Sequence, residues 1–140
     1  MKYAIVFTKQ EKDSRYQVSV PDLPGCAIHA ESIDIGMDEM TKAIKSHLSI
    51  LAEYGEKVPN AESLESHRRK FMLDNPHTYS QAFWAIINID ITPYLGKSHK
   101  INVTLPELLI AQIDNKVSKS SDYKTRSGFI ASACLAELAK

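Results

Sequence analysis

A surplus of charge of one sign is missing from this 140-residue chain: 17 Lys and Arg stand against 17 Asp and Glu, a formal net charge of zero. Spread evenly, that balance would exclude a strong electrostatic grip on nucleic acid or on an anionic membrane. Cysteine is scarce as well. Cys26 and Cys134 are the only two, without C-x-x-C or paired spacing, which excludes a disulfide framework and a cysteine-rich zinc site. No apolar run approaches the ~18 residues that a membrane-spanning helix needs. Met1 to Phe7 is a strand-length run with charge by Lys9, so no secretory leader is expected and a reducing cytoplasm is the natural compartment. The five histidines show no H-x-x-x-H spacing. Cys26 and His29 fall on opposite faces of a strand, a poor chelate. No metal site and no cofactor is therefore expected.

Charge is not spread evenly. Met1 to Gly96 carries 10 basic and 13 acidic residues, a net of −3; Lys97 to Lys140 carries 7 basic and 4 acidic, a net of +3. The basic balance lies in a segment with its own pattern. Lys100-Ile101-Asn102-Val103-Thr104-Leu105-Pro106 alternates, so Ile101, Val103 and Leu105 share one strand face and Lys100, Asn102 and Thr104 the other. Pro106 has no N–H to continue pairing and suits the start of a helix. In that helix Leu109, Ile113 and Val117 recur every fourth residue. A polar break at Ser120 to Lys124 follows, and Thr125 is suited to cap a second helix. Behind the cap, Ile130, Cys134 and Leu138 repeat at the same spacing.

One short strand and two helices offer too little surface to bury a core alone, and the strand is an unpaired edge. Two copies pairing strands and interleaving helices would cure both defects. Ile101, Val103, Leu105, Leu109, Ile113, Ile130 and Cys134 are then the expected dimer core. The outer strand faces form a two-stranded ribbon of the size that enters a DNA major groove, with Lys100, Asn102 and Thr104 as base-contacting residues. Thr125, Arg126 and Ser127, at a helix start with free N–H groups, are the expected phosphate contacts.

The remainder reads as a compact α+β unit. Tyr3 to Thr8, Arg15 to Val20, Cys26 to Ala30 and Phe83 to Ile91 are expected strands, with a tight turn at Pro21 to Gly25. Ser32 caps a long helix whose Ile33, Met37, Met40, Ile44, Leu48 and Leu51 form one apolar stripe, closed by Gly55 and Pro59. Gly36 costs about 1 kcal/mol against Ala there and predicts a frayed first turn. A short helix is expected near Ser63 to Leu73, and Thr92 to His99 as a hinge. A two-metal nuclease site from Asp22, Glu31, Asp34, Asp38, Glu39 and Asp90 can be drawn. Asp22 is instead expected to serve its own turn and the others to be solvated. No catalytic residue is assigned, and the chain is not expected to be an enzyme.

From Lys100 to Lys140 the chain resembles the ribbon-helix-helix superfamily of bacterial repressors, with Thr125-Arg126-Ser127 at the usual helix start. Met1 to Pro59, through Val20-Pro21-Asp22-Leu23-Pro24-Gly25-Cys26 and Gly55-Glu56-Lys57-Val58-Pro59, resembles the HicB antitoxin family. This resemblance implies a partial RNase H-like sheet of three to four strands with one long helix (residues 1–91), a hinge (92–99) and a ribbon-helix-helix domain forming a swapped-strand homodimer (100–140). It also implies an antitoxin that occludes a HicA-type ribonuclease toxin and represses the shared operon by binding operator DNA. The competing reading is a ribbon-helix-helix repressor whose first domain senses a small ligand or metal.

Overall fold

A computed structural model describes all residues, 1–140, and divides into two compact units, Met1–Gly96 and Lys97–Lys140. In the first, β1 (Lys2–Lys9), β2 (Tyr16–Ser19), β3 (Ala27–Ala30) and β4 (Phe83–Asn88) form an antiparallel sheet in the order β3-β2-β1-β4. β1 is central and buried from Tyr3 through Phe7. Its continuous apolar run follows from cover on both faces. Registers Phe7↔Val18 and Tyr3↔Ile87 place Tyr3, Ile5 and Phe7 on the face covered by α1 (Ile33–Glu53). Ala4 and Val6 face the side where Phe71 of α2 (Leu64–Asp74) stacks on Trp84, 5.5 Å between centroids.

The hairpin ends of β2 and β3 are joined by the Pro21–Gly25 turn. There Leu23 N–H donates to Val20 O and Cys26 N–H to Leu23 O, both at 3.0 Å. Gly25 takes φ +85°, where a side chain would be strained. Ser32 Oγ accepts from Ile35 N–H and starts α1. At its other end Glu56 N–H reaches Leu51 O and Gly55 N–H reaches Ala52 O, a left-handed glycine cap with φ +71°.

The buried line along α1 is Gly36, Met40, Ile44 and Leu48, with Ile33, Met37 and Leu51 half-buried beside it. Gly36 corrects the expectation of a frayed start. Its N–H bonds Ser32 O at 2.9 Å, and a Cβ there would lie 2.5 Å from Phe7 Cε2 and 3.2 Å from Ala30 Cβ. The missing side chain is what lets the helix close on the sheet.

Ser63 caps α2 through Ser66 N–H. A single turn, α3 (Pro76–Tyr79), follows with Asn75 as its cap. Of the segment read as a hinge, Thr92–Tyr94 forms a 3-10 turn of the first unit, anchored by Thr92 N–H on Asp90 Oδ1 and by buried Ile91.

The second unit holds α4 (Glu107–Lys119) and α5 (Arg126–Leu138). Tyr123 and Phe129 stack edge to face at 5.2 Å. Residues 97–106 carry no strand, which corrects the expected β-strand at Lys100 to Leu105 for a single chain. A strand needs a neighbour to hydrogen-bond, and one copy of this unit contains none. No helix of the protein is long and apolar enough to cross a membrane.

Candidate nucleic-acid interface

The second unit lacks a closed interior: Ile113, 5% exposed, is its one buried side chain. Of the other expected core residues, Leu105 and Ile130 are half-buried, while Leu109 and Cys134 are exposed. Ile101 and Val103 are 77% and 62% exposed. Their expected burial is therefore absent within one chain, because no element of the same unit reaches that face. Lys100, Asn102 and Thr104 are exposed as well, and in a paired strand they would lie opposite Ile101 and Val103.

At the start of α5, Thr125 Oγ1 accepts from Gly128 N–H at 3.0 Å. The cap thus satisfies Gly128 N–H and leaves Arg126 and Ser127 N–H without a protein acceptor. An accepting hydroxyl keeps its own proton, so Thr125 can still donate. Thr125, Arg126 and Ser127 are all exposed. Arg126 is not unattached, however. Its Nε donates to Asp114 Oδ1 at 2.9 Å and its Nη2 to Asp114 Oδ2 at 2.7 Å, joining α5 to α4. The guanidinium holds the Asp114 carboxyl below the ordinary carboxylate range. Asp114 carries no signal in the sequence, because its partner lies twelve residues away on another helix and no local spacing marks it.

In the first unit the expectation for Asp22 is corrected. Its side chain does not close its own turn, which is held by backbone bonds. Oδ1 instead lies 2.9 Å from His67 Nε2 and accepts from Glu62 N–H at 3.1 Å. Both side chains are buried, and Asp22 Oδ2 has no hydrogen-bond partner. His67 is the buried polar residue of the core, tying α2 to the Pro21–Gly25 turn. Glu31, Asp34, Asp38, Glu39 and Asp90 are exposed, and Cys26 is buried with Sγ 4.0 Å from Met40 Sδ.

The sequence model of the family described as "HicB_like antitoxin of bacterial toxin-antitoxin system" matches residues 3–134. The chain belongs to this family. Its role there is that of an antitoxin and not of an enzyme. The crystal structure of the Burkholderia pseudomallei antitoxin HicB is 33% identical, covers 99% of this chain and 98% of its own, and superposes with a TM-score of 0.67. The separately crystallised N-terminal domain of that antitoxin is 31% identical, covering 64% of this chain and 99% of its own, with a TM-score of 0.51. A 14.9 kDa uncharacterized protein from the rep-hol intergenic region of Haemophilus phage HP1 is 32% identical over 115 residues, 82% of each chain. A HicA3 and HicB3 toxin–antitoxin complex matches in fold alone, at 16% identity, 64% and 99% coverage and a TM-score of 0.50. The α+β sheet-and-helix architecture of the family is thus the architecture of this chain.

Proposed function

We propose that this antitoxin neutralises a HicA-type ribonuclease toxin by covering it with the first unit, and represses its own operon by binding operator DNA as a homodimer through the second. One observation carries the DNA half. The second unit leaves Ile101, Val103 and, in α4, Leu109 exposed, and the exposed Lys100, Asn102 and Thr104 alternate with the first two along the chain. Antiparallel pairing of Lys100 to Leu105 with a second copy would bury the first set and leave the second as a polar ribbon. The +3 balance of this unit supports the same reading. The toxin half is supported by family membership and by a first unit with its own closed core. Occlusion needs no catalysis from the antitoxin.

Val103→Asp tests both halves at once. It would put an unpaired charge into the ribbon core, at a cost of several kcal/mol. The variant is expected to be monomeric by light scattering and to lose operator binding, while still forming a complex with the toxin. A dimeric Val103→Asp protein that binds operator normally overturns the ribbon. A wild-type protein that captures no small toxin, but binds a metal or metabolite tightly, replaces the toxin half with effector sensing.

A further inference from the structure

We infer that Asp114 is a positioning residue for DNA, holding one edge of the Arg126 guanidinium so that the other edge faces a phosphate. The inference rests on the proposed DNA-binding role. Its basis is the way the pair is made. Asp114 takes Nε–H and one Nη2–H, at 2.9 and 2.7 Å, which is the side edge of the fork. A guanidinium has five N–H donors in one plane. Three remain, and two of them, one on Nη1 and the far one on Nη2, form the end edge that matches two phosphate oxygens. Both side chains are about half exposed, 53% for Arg126 and 48% for Asp114, and the guanidinium makes no hydrogen bond other than the two to Asp114.

Two effects of Asp114 on DNA oppose each other. Its negative charge repels a phosphate across the width of the guanidinium, but between exposed groups water and salt screen that repulsion. Its bidentate bond also removes rotamer freedom from a long side chain before DNA arrives, so less is lost on binding. The orienting effect acts through two direct hydrogen bonds, whereas the repulsion acts across the guanidinium through solvent.

The test uses full-length protein and a labelled random-sequence DNA duplex, with affinity measured across a salt series. Arg126→Ala is expected to weaken binding and to flatten the slope of log K against log salt by about 0.9, one phosphate contact. Asp114→Ala is expected to weaken binding about three- to tenfold with the slope unchanged, since the cation remains but must be ordered on binding. Arg126→Lys, which keeps charge without the fork, should behave like Asp114→Ala. The double variant Asp114→Ala/Arg126→Ala should bind no more weakly than Arg126→Ala. Asp114→Asn, close in shape, reports the same loss in part if Asp114→Ala proves unstable. Tighter binding by Asp114→Ala and Asp114→Asn makes the carboxylate a competitor and overturns the inference. Additive losses in the double variant overturn it too, because Asp114 would then act independently of Arg126. If Arg126→Ala changes neither affinity nor slope, the phosphate role of this helix start fails and the inference falls with it. Loss in Arg126→Ala alone removes only the role of Asp114.

Discussion

Replacing Asp22 by Ala removes the acceptor that holds α2 to the rest of the first unit. His67 Nε2 and Glu62 N–H both meet Asp22 Oδ1, and the His67 side chain is 8% exposed. The ring would then be buried beside a void with no partner. Leaving one buried polar group unsatisfied costs about 1–3 kcal/mol, and the void left by the removed carboxylate adds about 1 kcal/mol. Glu62 is exposed and can turn to water, so its N–H adds little. An overall loss of about 2–4 kcal/mol follows, equivalent to a fall of roughly 10–20 °C in Tm for a unit of this size. Trp84, the sole tryptophan, stacks on Phe71 of α2 and reports the same event locally. Asp22→Ala should therefore shift its emission to the red during or before global melting by circular dichroism. Replacing both residues by Leu should cost less than the sum of the single changes, since neither group is then left unpaired. An Asp22→Ala protein that melts within about 2 °C of the parent, with unchanged Trp84 emission, refutes this account.

Gly36→Ala should lower the urea midpoint, although Ala is the better helix former by about 1 kcal/mol. The new methyl would meet the Phe7 ring at 2.5 Å, and that ring is held between Tyr16 and Phe83, so overpacking of about 1–3 kcal/mol prevails. A raised midpoint would show that the sheet can yield. Tyr3 is fully buried, with its hydroxyl donating to Pro59 O at 2.7 Å; burial first and Asp22 second push its pKa up to about 12. The neutral form is favoured in the folded state, so its contribution is complete below pH 10 and is lost as pH rises towards 12. Wild-type stability should drop by about 2–3 kcal/mol across that window. Tyr3→Phe should start lower, because it lacks the bond to Pro59, and should show a shallower alkaline decline; parallel declines would rule Tyr3 out as the source.

Much of the first unit is determined locally, and so was legible without coordinates. The long helix announces itself by period and by its end signals, Ser32 and Gly55, which act through bonds to residues three to five positions away. The β1–β2 hairpin and the Pro21–Gly25 turn are likewise made by near neighbours, and the capped helix at Thr125 needs no partner beyond Gly128. Composition by itself also separated an acidic stretch from a basic one. Other features belong to the tertiary structure because their cause is a residue far along the chain. Gly36 reads as a weak helix position until the Phe7 ring is seen against it. Asp22 reads as a turn residue until α2 brings His67 to it, and Arg126 as a free cation until α4 supplies Asp114. The alternation of Ile101, Val103 and Leu105 marks a face to be buried, but hydrogen bonding and burial both require an opposing surface, and a single copy of the second unit has none to offer.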